Sequence, residues 1–157
     1  MYDSDEHTVE EIADTFSVSR PTMYRHLTAQ HEGRDCVLVV YRNRKAKTDA
    51  SNRRLGETGR DDDVQLEADR KWWPIAPARR PLVKAIVYIA DGTVARVRSV
   101  DPDLSKWRED DRGYADVPVS RKPLDDLQIA KQLPTLGLRN GDKRPHVCGK
   151  LREYVVL

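Results

Sequence analysis

The stretch VKAIVYIADGTVARVRSV, residues 83–100, contains the strongest β-strand signal in the chain. Two runs rich in β-branched residues flank Asp91-Gly92, a dipeptide favoured in tight hairpin turns because both of its positions accept positive φ angles. In the second run, Arg96 and Arg98 alternate with valines, so both arginines belong to one face of the strand. The stretch therefore predicts a β-hairpin, and we expect the arginine-bearing face to be wet.

Further strands are predicted on either side of this hairpin. The continuous apolar run CVLVVY, residues 36–41, is typical of a strand that is buried on both faces. The segment YADVPV, residues 114–119, predicts a short edge strand, because Pro118 cannot donate a hydrogen bond to a neighbouring strand. The last six residues, REYVVL, predict a final strand.

Two helices are predicted between these strands. One begins at residues 61–63, three aspartates that favour the positive end of the helix dipole, and ends before Pro74. Val64, Ala68 and Trp72 are spaced to share one face of it. The other lies in PLDDLQIAKQL, residues 123–133, with Pro123 at the first helical position. Because strands and helices mix without a regular βαβ alternation, the fold class predicted for residues 33–157 is α+β.

Composition leaves room for this domain and one small module. The chain has 157 residues, with 34% charged, 38% hydrophobic and a net charge of +2, so its overall charge does not indicate a nucleic-acid partner.

Cys36 and Cys148 form no CxxC pair, and two reduced thiols are expected. The N-terminus is acidic, unlike a secretory signal, and no apolar run approaches the roughly 20 residues of a membrane span. We therefore expect a cytoplasmic location and no membrane partner.

Local charge is more informative than the total. Residues 42–63 are rich in Arg, Lys, Gly, Ser and Asn, with almost nothing to bury, and predict an exposed basic loop. Such a loop is suited to neutralise the phosphates of a nucleic acid. The side chains expected to contact phosphates are Arg42, Arg44, Lys45 and Lys47.

The N-terminal stretch TVEEIADTFSVSRPTMYRHL, residues 8–27, predicts two short helices joined by a tight turn. Thr8 and Glu11 have the spacing of a capping box at the first helix. Ser19 is a suitable N-cap for the second helix, and Pro21 lies in its first turn, where a missing N–H costs little. Residues 1–29 contain six acidic residues, all of which precede the second helix, and two basic residues, Arg20 and Arg25. The second helix is therefore free of negative charge and suited to approach phosphates and base edges.

These residues resemble the DNA-binding helix-turn-helix of serine recombinases, the resolvase and invertase family. The resemblance covers residues 1–28, and in it the EEIA and VSRPTMYRHL segments are the matching motifs. It implies that the second helix enters the major groove of double-stranded DNA, with Arg25 as the main base contact. Further DNA contacts are implied for Ser19, Arg20, Thr22, Tyr24 and His26. The recombinase catalytic domain has no counterpart in the chain, and residues 1–5 correspond only to the end of the family's first helix, so residues 1–31 are expected to form a partial module without recombinase activity.

Other functions stay open at this point. Asp101 and Asp103, with the acidic run at residues 109–111, suggest a metal-dependent nuclease that the helix-turn-helix would direct to DNA. A nucleic-acid-reading α+β domain and a protein-interaction module are further alternatives, and homodimer formation is left open. No pair of His or Cys residues has metal-ligand spacing, so a non-enzymatic protein without catalytic residues, a metal or a cofactor is the preferred prediction.

Overall fold

A computed structural model of the chain describes residues 33–42, 47–48, 54–58, 62–145 and 149–157. The chain divides into two compact units, Met1–Arg34 and Asp35–Leu157. The predicted helix-turn-helix at residues 1–31 lies outside the described residues. The second unit mixes helices with a sheet and is of the α+β class, as the sequence predicts.

The described residues of the second unit form eight strands and two α-helices. In chain order they are β1 (Cys36–Arg42), β2 (Lys47–Thr48), β3 (Arg54–Leu55), α1 (Asp62–Arg70), β4 (Val83–Ala90), β5 (Thr93–Ser99), β6 (Arg108–Glu109), β7 (Ala115–Asp116), α2 (Asp126–Gln132) and β8 (Arg152–Val156). Short 3₁₀ helices cover Pro77–Leu82, before β4, and Leu104–Lys106, before β6.

Four strands form the central sheet in the order β5-β4-β1-β8. Strands β1 and β4 run parallel, whereas β4 with β5 and β1 with β8 are antiparallel. Strand β1 occupies the position predicted for a buried strand, and all of its residues before Arg42 are buried. Its continuous apolar sequence follows from its place inside the sheet, because both faces are covered.

Each face of the sheet packs against a separate apolar cluster. On one face, alternate residues of β1 and β4, such as Val39 and Val87, pack with Ile129 of α2 and with Leu133. On the other face, Leu38, Val40, Ile86 and Tyr88 pack with Ile75, Ala115 and Val117. This second face also carries the charged cluster described below.

The hairpin predicted at residues 83–100 is confirmed. Strands β4 and β5 pair with Val87 opposite Val97, and the turn between them consists of Asp91, with φ of 49°, and Gly92, with φ of 80°. Two consecutive positive φ angles match the right-handed twist of the paired strands. The two-residue turn sets the register next to it, with Ala90 opposite Thr93, and an irregularity between Tyr88 and Ile89 shifts the pairing farther along the strands by one residue.

The expectation that the arginine-bearing face of β5 is wet is wrong. Arg98 is 2% exposed and ranks among the largest fully buried side chains in the described part of the chain. The Arg96 side chain is 13% exposed. Both guanidinium groups lie against Asp69, near the end of α1. The carboxylate provides the charge partner that a buried arginine requires.

The two helices are shorter than predicted. Helix α1 starts within the aspartate run but ends at Arg70, so Trp72 lies beyond it. Helix α2 is capped by Asp125, whose side chain accepts a hydrogen bond from the backbone N–H of Gln128, while the Gln128 side chain bonds back to the Asp125 N–H. This capping box places the helix start after Asp125, so Pro123 lies outside the helix. Of the edge strand predicted at residues 114–119, only Ala115–Asp116 form a strand, β7, which pairs with β6. The predicted final strand is β8.

Candidate nucleic-acid interface

Most of the predicted DNA-contacting residues lie outside the described part of the chain. They are Ser19, Arg20, Thr22, Tyr24, Arg25, His26, Arg44 and Lys45. For Lys47 the structure gives the backbone, in β2, which pairs with β3. Segments of residues 42–63 thus belong to β2, β3 and the start of α1.

The structure places Arg42 in the interior of the α+β unit. Its Nη1 donates to Asp69 Oδ1 at 2.7 Å and its Nη2 to the Ala68 carbonyl at 3.0 Å. Its guanidinium carbon lies 5.3 Å from the Trp73 ring centre and 4.8 Å from that of Tyr88. The side chain is 9% exposed. Arg42, the last residue of β1, therefore acts inside the domain and is not the exposed phosphate contact that the sequence suggested.

Asp69 is the centre of a buried charged cluster, which we call the Asp69 cluster: Asp69, Glu57, Arg42, Arg96 and Arg98. The Asp69 side chain is fully buried and accepts hydrogen bonds from all three arginines at 2.6–2.8 Å. Arg96 also makes a two-pronged contact with Glu57, at 2.6 and 2.9 Å. The cluster thus holds three positive and two negative side chains and joins α1 to β1 and β5.

Electrostatics in the Asp69 cluster favour the ionised carboxylate. Burial alone would raise the pKa of Asp69, but hydrogen bonds and charges of Arg96 and Arg42 outweigh it and lower that pKa below its ordinary value. Burial raises the pKa of the neighbouring Tyr88 well above its ordinary value, and Asp69 adds to this effect. The Tyr88 hydroxyl therefore stays protonated and donates to the Asp69 carbonyl at 2.9 Å. Because each charged group already has a partner, the cluster is suited to hold the fold together.

A polar groove of about 940 Å³ lies elsewhere on the same unit. Its walls come from the end of β5, the segment at residues 100–108, the segment at residues 118–120, and the ends of α1 and α2. The lining residues are Arg70, Ser99, Val100, Asp101, Pro102, Ser105, Lys106, Arg108, Pro118, Val119, Ser120 and Gln132. We refer to it as the basic groove, because three of these side chains are cationic and one is anionic.

Two of the three cations in the basic groove have carboxylate partners. Lys106 Nζ lies 2.7 Å from Asp101 Oδ2, and Arg70 Nε and Nη2 donate to the two oxygens of Asp116 at 3.1 and 3.2 Å. Arg108 is exposed and, among the described residues, has no charged or hydrogen-bonding side-chain partner. The groove therefore carries an uncompensated positive charge at Arg108.

No family model, curated protein or solved structure matches this chain. The site has therefore to be interpreted from its own geometry. The uncompensated charge of Arg108 can attract an anion, and arginine is among the side chains that contact phosphates in protein–DNA complexes.

The carboxylates considered for a nuclease have other partners. Asp101 pairs with Lys106 and accepts from the backbone N–H of Asp103. The Asp103 carboxylate accepts from the backbone and hydroxyl of Ser105 and thereby caps a 3₁₀ turn. Glu109 contacts Arg80, and Asp110 accepts from Arg112. In the part of the chain that the structure covers, no group of three or more His, Cys, Asp or Glu residues is arranged to hold a metal ion.

Sequence reasoning missed the basic groove. Arg70 contacts Asp116, which is 46 residues away, and Asp116 is directly opposite Arg108 in the β6–β7 pair. No local pattern in the sequence signals such a distant arrangement.

Among the described residues, no helix is long and apolar enough to cross a membrane.

Proposed function

We propose that this protein binds double-stranded DNA in a sequence-specific manner through a helix-turn-helix within residues 1–31, without recombinase catalysis. The observation that carries the proposal is the resolvase-like sequence of residues 8–27, with its capping box, its second N-cap and a second helix free of acidic residues. Arg25 is the proposed main base contact, because arginine is the most common reader of guanine in the major groove. Ser19, Arg20, Thr22, Tyr24 and His26 contribute further contacts to base edges or phosphates.

In this proposal, the α+β unit accompanies the helix-turn-helix and contributes the uncompensated positive charge of Arg108. Its charged residues are mostly paired internally, in the Asp69 cluster and elsewhere, and it presents no metal-binding group within the described residues. The loop residues Arg44, Lys45 and Lys47 are proposed to add phosphate contacts that carry no sequence preference. A metal-dependent nuclease is not proposed, because the carboxylates that suggested it serve as ion-pair partners and turn caps.

The test is selection of duplexes from a random library by the full chain, followed by binding measurements with the enriched duplex. We expect one enriched motif, and Arg25→Ala should lose about 1–3 kcal/mol of binding free energy and relax one position of that motif. Thr28→Ala, just beyond the second helix, provides a control that should retain the selected motif. Failure to enrich any sequence would contradict the proposal and favour a role in protein interaction.

A further inference from the structure

The basic groove has the chemistry of a second phosphate-binding surface. We propose that it binds phosphates of the duplex DNA backbone, with Arg108 as the principal contact; this inference rests on the proposed DNA-binding function. Arg108 lies on β6 and is directly opposite Asp116 of β7. Directly opposite residues on paired strands lie within reach of one another, so Asp116 would ordinarily neutralise Arg108.

Asp116 is instead engaged by Arg70. The Arg70 guanidinium contacts both Asp116 oxygens, and Asp116 is 4% exposed. Arg70 and Arg108 therefore both lie near the Asp116 carboxylate, but only Arg70 is paired with it. The positive charge of Arg108 stays unpaired and faces solvent. A guanidinium is planar and always charged, and it matches the geometry of phosphate oxygens with two parallel hydrogen bonds.

The walls of the groove are held in place by backbone hydrogen bonds. The Ser120 N–H donates to the Ser99 carbonyl, and the Asp101 N–H donates to the Pro118 carbonyl, each at 2.8 Å. Val100 and Val119 form a bridge between the same segments. A surface that is ordered before binding loses little conformational entropy when the ligand arrives.

The lining favours a phosphate over an apolar or cationic ligand. Ser99 brings a hydroxyl group to the lining, whereas the hydroxyls of Ser105 and Ser120 already donate to the Asp103 carboxylate and the Lys122 carbonyl. No aromatic side chain lines the described groove. Asp101 is the one acidic lining residue, and Lys106 neutralises it at 2.7 Å. The ligand contacts should therefore be independent of base identity, because the backbone carries the same charge in every sequence.

The test compares variants of the full chain in binding both the selected duplex and an unrelated duplex over a series of salt concentrations. Arg108→Ala should weaken binding to both duplexes by the same factor, about three- to tenfold, and reduce the slope of log K against log salt by about 1. Arg108→Lys keeps the charge and should retain that slope. Arg152→Ala is the matched control, since Arg152 is also exposed but belongs to β8, at the opposite edge of the sheet from β5. Thermal unfolding of each variant verifies its fold.

The outcomes separate the two proposals. If Arg108→Ala binds like the Arg152→Ala control while Arg25→Ala loses sequence discrimination, the groove proposal is overturned and the helix-turn-helix proposal stands. If Arg108→Ala reduces the salt slope and Arg25→Ala retains the wild-type motif, the groove proposal stands and recognition by Arg25 is overturned. A loss confined to the selected duplex would also overturn a backbone-phosphate contact at Arg108. Absence of binding to either duplex at about 50 mM salt overturns both proposals, because phosphate contacts are strongest at low salt.

Discussion

At the scale of single residues, Asp69 shows how the fold compensates a fully buried charge. Its fully buried carboxylate faces arginines from β1 and β5. Such a charge is tolerated only because partners replace its hydration, and the arginines depend on it in the same way. Removal of the carboxylate charge would leave Arg98, which is 2% exposed, without its charged partner.

We predict that Asp69→Asn lowers the free energy of unfolding by about 3–5 kcal/mol, because it leaves buried arginines uncompensated. Urea unfolding followed by circular dichroism measures this difference. The matched control is Asp63→Asn, whose carboxylate pairs with Arg121 while both side chains are about three-quarters exposed. An exposed pair contributes at most about 1 kcal/mol. Equal losses in the two variants would contradict the assigned role of Asp69.

The Asp69 cluster also shows where residue patterns stop being informative. Alternation in β5 correctly places Arg96 and Arg98 on one face, but it does not reveal what covers that face. Their partner Asp69 lies 27 and 29 residues earlier in the chain. A local pattern assigns such arginines to solvent, because exposure is usual for them unless a distant carboxylate is available.

At the scale of secondary-structure elements, the hairpin was predictable because its information is local. Asp91-Gly92 and the flanking β-branched residues specify both the turn and the strands. The parallel pairing of β1 with β4 was not predictable in this way, because 40 residues separate their ends from Arg42 to Val83 and no regular βαβ pattern links them. Strand β7 lies within the strand predicted at residues 114–119, whereas its partner β6 carried no local strand signal in the sequence.

The hairpin turn gives a prediction at this scale. Gly92→Ala should lower the free energy of unfolding by about 1–2 kcal/mol, because a residue with a Cβ atom is strained at the observed φ of 80°. Space is not the cause, since the nearest atom to an added Cβ is Pro145 Cα at 3.9 Å. Gly92→Asn is the control and should lose less, because Asn tolerates the left-handed region better than Ala. Urea unfolding measures both, and a larger loss for Asn would refute backbone strain as the cause.

At the scale of the whole molecule, contacts between side chains that are distant in sequence form both the fold and the candidate site. The basic groove requires the ends of α1 and β5 to meet the segment around β6 and β7. The groove exists only in the assembled fold. The sequence therefore shows which residues are cationic, but it does not show that they come together in space. The same is true of Glu153 on β8, which accepts hydrogen bonds from Tyr41 on β1 and from Arg144, at 2.6 Å in each case.

This second ion-pair network makes the fold sensitive to acid. Burial opposes ionisation of Glu153, but hydrogen bonds from Arg144, Lys150 and Tyr41 lower its pKa from 4.5 to about 2. The unfolded chain, with the ordinary pKa, therefore takes up this proton at a higher pH than the folded chain. Stability from this group is fully present above about pH 4.5 and disappears as the pH falls toward 2.

We therefore expect the unfolding free energy of wild type to fall more steeply between pH 4.5 and 2 than that of Glu153→Gln, because the variant lacks the linked proton. Urea unfolding at a series of pH values in this window measures the difference between the two curves. At pH 7 the wild type should be the more stable protein, and the two curves should converge at the acid end. Asp63→Asn, which removes an exposed carboxylate, should instead keep the steep wild-type dependence. Parallel curves for wild type and Glu153→Gln throughout the window would show that the contacts among Tyr41, Arg144 and Glu153 do not stabilise the ionised carboxylate.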